Sequence, residues 1–131
     1  MSLTYQILSI LNLSDNYISY ISELLNRKHL STLLYRYGNA INNINNLKHK
    51  LNETIVYSNI ISVKYKLLPK ENHNTIEIQK KLKKWYKYKI LVFERIKEYI
   101  KEFFKEKCNL KLSDDKVERV ALLLIRYHCN K

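Results

Sequence analysis

Apolar residues recur at spacings of three and four through most of this chain, and that pattern predicts helices. Leu3, Ile7, Ile10 and Leu11 mark a first short helix over 3–12. Ser14 resembles an N-cap, with Asp15 in the first turn, for a second helix carrying Ile18, Ile21, Leu24 and Leu25. Arg27 and Lys28 sit where a helix C-terminus favours positive charge. A longer stripe follows through Leu30, Leu33, Leu34, Tyr37, Ile41, Ile44, Leu47 and Leu51. Gly38 interrupts it, either as a tolerated weak point or as a turn.

The middle of the chain leaves two readings open. Val63-Lys64-Tyr65-Lys66-Leu67 alternates strictly, and Thr75-Ile76-Glu77-Ile78 could pair with it as a short β-hairpin around residues 62–78. The alternative is a continuous helix that ends before Pro69.

Beyond this point the helical period returns. Over 79–107, Leu82, Trp85, Tyr86, Phe93, Ile96, Ile100, Phe103 and Phe104 share one face. Ser113-Asp114-Asp115 then forms an N-cap with acidic first-turn residues for a last helix over about 114–128. Val117, Val120, Ala121 and Leu124 line one side of it. Leu122, Leu123 and Ile125 fall on other faces, which predicts burial against a partner or a second copy. The expected fold class is mainly α: one compact helical domain, 1–131, of about five helices.

Composition sharpens this picture in two ways. A chain of 131 residues with one Gly and one Pro has long elements and few tight turns. The abundance of Lys, Asn, Ile and Tyr also fits AT-rich coding, a cause with no functional content. The formal charge is +12, which implies an anionic partner. No apolar run approaches the roughly 20 residues that cross a bilayer. The start, MSLTYQILSILNLSD, lacks a basic leader and a small-residue cleavage site. With Cys108 and Cys129 alone there is no disulfide framework, and a bridge between them fits only a hyperthermophile's cytosol. A cytoplasmic location, without a membrane partner, is the expectation.

Catalytic chemistry finds little footing. One glycine excludes a glycine-rich phosphate loop and a dinucleotide fingerprint. His29, His49, His73 and His128 are scattered, and His128 with Cys129 offers two donors where structural zinc takes four. Asp114 and Asp115 read as capping residues rather than a metal pair. Glu94, Glu98, Glu102 and Glu106 alternate with Lys97, Lys101 and Lys105 as a solvated face of ion pairs. The chain therefore reads as a non-enzyme with no cofactor and no metal.

The charge is concentrated in one place. QKKLKKWYKYKI, residues 79–90, holds six lysines, and no Asp or Glu occurs from 78 to 93. On a helical wheel centred on Leu82, Lys80, Lys83, Lys84 and Lys87 fall on the opposite side. Lys81 and Tyr88 flank the boundary, Trp85 and Tyr86 lie near Leu82, and Lys89 snorkels from the apolar side. Six close lysines repel one another, so an unneutralised run calls for neutralisation from outside the chain. Lys64, Lys66 and Lys70 extend the patch if their segment packs alongside. Tyr88 and Tyr65 offer planes on which unpaired bases stack. Lysine phosphate contacts beside stacking tyrosines describe a sequence-independent binder of single-stranded DNA.

Two other classes compete with this one. Leu33-Leu34-Tyr35-Arg36-Tyr37-Gly38-Asn39-Ala40-Ile41 has a glycine where a helix-turn-helix has its turn. Asn42, Asn43, Asn45 and Asn46 could then read adenine edges in duplex DNA. Leu34 occupies the position that usually holds a small residue. The second class is a helical adaptor that binds protein through the apolar last helix.

The run QKKLKKWYKYKILVFERIKEYIKEFF followed by LSDDKVERVALLLIRYHCNK, with the length and composition, resembles the small basic single-stranded-DNA-binding proteins of archaeal rod-shaped viruses, the rudiviruses. The likeness covers the full length without a diagnostic motif. It implies a largely helical fold that is not an OB-fold, and a homodimer. It also implies viral genome replication and recombination in the host cytoplasm of a hot, acidophilic archaeon, beside helicase-like, annealing and nuclease partners.

Overall fold

The computed structural model describes residues 2–65 and 73–129. Five α-helices and one 3-10 turn follow in order: α1 (Leu3–Leu11), the turn Asp15–Tyr17, α2 (Ile18–Leu25), α3 (Lys28–Tyr65), α4 (His73–Cys108) and α5 (Asp114–Cys129). The fold is all-α, with no strand among the described residues, and it is not an OB-fold.

Three local expectations change. Val63–Tyr65 is the end of α3 and Thr75–Ile78 lies in α4, so the hairpin around 62–78 is replaced by helix on both sides. Extending an existing helix costs far less than starting a new element, and five alternating residues are too few to overrule a helix already running. Helix α3 also runs unbroken through Gly38, which leaves no turn there and overturns the helix-turn-helix reading. Ser14 precedes the 3-10 turn without a side-chain cap bond, while Lys28 opens α3 rather than closing α2.

The helix ends follow from their residues. Ser2 accepts from the Tyr5 amide, and Ser113 accepts from the Lys116 amide; both bonds span 3.4 Å. Asp114 and Asp115 sit in the first turn of α5, with Arg126 and His128 in its last, both favourable to the helix dipole. Asn12 (φ 56°) ends α1 in the left-handed conformation, and Asn109 (φ 53°) takes it directly after α4. The Leu13 amide then returns to the Leu8 carbonyl at 3.0 Å, and the Leu110 amide to that of Phe104 at 3.1 Å.

The chain divides into two compact units: Met1–Gly38 with Leu91–Lys131, and Asn39–Ile90. Most of the buried apolar residues among those described lie in the first. Ile7, Leu8 and Leu11 of α1 are buried, and α1 packs on both α2 and α5. Ile21 and Leu24 of α2 are fully buried, as are Ile96, Ile100 and Phe104 of α4. From α5 the buried set is Val117, Val120, Ala121, Leu124 and Ile125. Tyr37 of α3 meets Phe93 of α4 at 6.2 Å, and His29 meets Tyr99 at 5.1 Å. In the second unit the buried residues among those described are Ala40, Ile44 and Leu82.

Gly38 supports a direct prediction. Its φ is not positive, and an added Cβ would stand 3.4 Å from the Cys129 sulfur, an ordinary contact. Glycine inside a helix costs about 0.5–1 kcal/mol relative to alanine. Gly38→Ala is therefore expected to raise the thermal midpoint by a few degrees, read by circular dichroism. A lower midpoint would show that Gly38 is required by close packing.

Candidate nucleic-acid interface

The lysine-rich turns belong to the 39–90 unit, in the first half of α4. Leu82 is buried there, and Ile78, Trp85 and Tyr88 are half-buried, so this strip fixes which way the helix faces. Lys80, Lys81, Lys83, Lys84 and Lys87 are exposed. None of the five has a carboxylate partner among the described residues. Lys89 is half-buried, as its place on the apolar side predicts.

Lysines elsewhere contrast with these. In the unit that holds the second half of α4, Lys97 pairs with Glu94 at 3.0 Å and stands 5.1 Å from the Phe93 ring centre. Lys101 pairs with Asp114, whose carboxyl the hydrogen bond and charge of Lys101 hold below its ordinary range. Lys107 reaches Glu23 of α2 at 3.6 Å, and Arg27 reaches the same carboxylate at 2.8 Å. The expected ion-paired face is therefore tied partly to other helices rather than only along its own. Exposed pairs of this kind contribute up to about 1 kcal/mol each.

The aromatic residues are arranged differently from the wheel. Tyr88, expected as an exposed stacking ring, is half-buried and meets Trp85 edge to face, 5.7 Å apart and inclined at 84°. Tyr86, expected in the core, is 37% exposed. The Lys48 ammonium of α3 lies over its ring, 5.5 Å from the centre. Lys48 was not among the candidates. It lies on a helix whose exposed positions carry asparagines, histidine and glutamate as well as lysines, and only the helix pairing brings it to the lysine strip.

The other candidates lie as follows. Lys64 stands on α3, and Lys66 and Lys70 fall outside the described residues. On α5, Leu122 is 46% exposed and Leu123 half-buried. Ile125, expected on a partner surface, is buried in the chain's own core. It sits four residues after Ala121 and eight after Val117, within the width of one apolar stripe.

Neither cysteine is bridged. Burial pushes the Cys108 thiol up, with Glu23 adding to the effect, and burial does the same at Cys129. Both thiols are thus protonated at neutral pH, unlike an activated nucleophile. Among the described residues no group of three or more His, Cys, Asp or Glu side chains could hold a metal ion. No described helix is long and apolar enough to cross a membrane.

Comparison with known protein families, with curated proteins and with solved structures finds no match to this chain.

Proposed function

We propose that this protein binds single-stranded DNA without catalysis and largely without regard to sequence. One observation carries the reading: five exposed lysines crowd about two turns of α4 with no carboxylate partner among the described residues. Their mutual repulsion is relieved when phosphates stand between them. Tyrosines on the same turns add ring surface for unpaired bases, which a duplex keeps stacked inside. Placement within viral genome replication and recombination, with helicase-like, annealing and nuclease partners in a host cytoplasm, rests on the resemblance alone.

Fluorescence anisotropy on a labelled single strand, a duplex of equal length and an RNA, at two salt concentrations, tests the reading. Four to six phosphate contacts give log K falling with log salt at a slope of about −3 to −4 on single strands. The single strand is expected to bind more tightly than the duplex. Equal or tighter duplex binding at physiological salt would overturn the single-strand assignment.

The adaptor reading has less support. With Ile125 in the core, α5 offers a partner exposed Leu122 and Tyr127 and half-buried Leu123. Exposed apolar side chains in such small number are ordinary for a folded protein. A homodimer built there would need polar contacts around Leu122 to hold it.

A further inference from the structure

We infer that the nucleic-acid surface of the 39–90 unit spans both of its helices, with Tyr86 as a base-stacking ring and Lys48 as an added phosphate contact; this rests on the reading just given. The Lys48 ammonium stands 5.5 Å from the centre of the Tyr86 ring. A cation over an aromatic face is held by the ring's quadrupole. The contact therefore joins α3 to the strip of α4 on which the lysines stand.

The neighbouring positions suit the same ligand. Lys83 lies three residues before Tyr86 and is exposed, and Lys87 adjoins it. On α3, Asn45 and Asn52 stand three before and four after Lys48, both exposed. These spacings place them on one strip with Lys48. Their amides donate and accept hydrogen bonds without repelling a phosphate, as a carboxylate there would.

Tyr86 is better placed to stack than Tyr88. Tyr88 is half-buried with Trp85 at its edge, whereas 37% of Tyr86 is open to solvent. The ammonium beside Tyr86 restrains the ring plane and offers a donor to the phosphate of the stacked nucleotide. Lys48 and Tyr86 thus form a two-part grip, one part for charge and one for the base.

A thymidine strand and an abasic strand of equal length separate the two parts, since they carry the same phosphates and differ only in bases. Tyr86→Leu keeps apolar bulk and removes the ring. It is expected to weaken binding of the thymidine strand about five- to a hundred-fold and to leave the abasic strand unchanged. Tyr86→Phe should restore the parent affinity for both. Lys48→Gln should weaken both strands alike, about five-fold at 0.1 M salt, and flatten the salt slope by about 0.7. Far-UV circular dichroism checks that each variant is folded. Tyr86→Leu binding the thymidine strand like the parent, or a parent that holds both strands equally, would overturn the stacking role. An unchanged salt slope in Lys48→Gln would overturn the phosphate contact. A parent that binds neither strand would remove the proposed function itself.

Discussion

Replacing Lys80, Lys83, Lys84 and Lys87 together is expected to remove most of the affinity for single-stranded DNA. Each phosphate neutralised releases about 0.7 of a counterion on a single strand, which at 0.1 M salt corresponds to about a five-fold gain per contact. Four glutamine replacements should therefore weaken binding by on the order of 10²–10³ and flatten the salt slope by about 3. Glutamate replacements should weaken it further, because they put repulsion where attraction was. All four side chains are exposed and unpaired among the described residues, so the fold should be unaffected. Surface substitutions of this kind usually change stability by less than about 0.5 kcal/mol each. A quadruple variant that keeps the parent affinity would place the anion site elsewhere.

The largest effect on stability is expected at Phe104. Its side chain is fully buried in the unit that holds all of α1, α2 and α5. It meets Phe103 edge to face, 5.5 Å apart and inclined at 85°. The Arg27 guanidinium lies over Phe103 at 5.5 Å, so the pair joins α4 to the segment between α2 and α3. Phe104→Ala removes a whole ring and leaves a cavity, at a cost of about 3–5 kcal/mol. Against a total stability of about 5–15 kcal/mol for an ordinary domain, that is a large share. Urea denaturation followed by circular dichroism should show a marked fall in midpoint. A shift below about 1 kcal/mol would mean that the surrounding side chains collapse into the space.

The sequence makes the helices legible because their apolar stripes are long and their caps are chemically distinct. Ser113-Asp114-Asp115 is the clearest case: side-chain oxygen, acidic first turn and following stripe all agree, and α5 starts at Asp114. Local signals were less decisive where they were short. The alternation at Val63–Leu67 spans under two helical turns, and the helix it interrupts continues at least to Tyr65. Gly38 has the φ of an ordinary helical residue, and no sequence rule separates a glycine that turns from one that does not.

The wheel puts Lys80, Lys83, Lys84 and Lys87 on an exposed face, and they are exposed, because a helix face depends only on spacing along one element. The aromatic residues depend on what lies across from them. Tyr86 is 37% exposed and meets Lys48 of α3, and that pairing register is written nowhere in either helix alone. Ile125 was a different matter. Its spacing from Val117 and Ala121 was visible, but a stripe about 100° wide has room for more positions than its four most regular members.

The two left-handed asparagines, Asn12 and Asn109, bear on how a chain with almost no glycine ends its helices. Glycine is the usual residue for this conformation, and asparagine tolerates the left-handed region better than most other residues. A chain with a single glycine can thus still end its helices in the left-handed conformation, with asparagine in the place that glycine usually takes. Scarcity of glycine therefore does not by itself deprive a helical chain of well-defined helix ends.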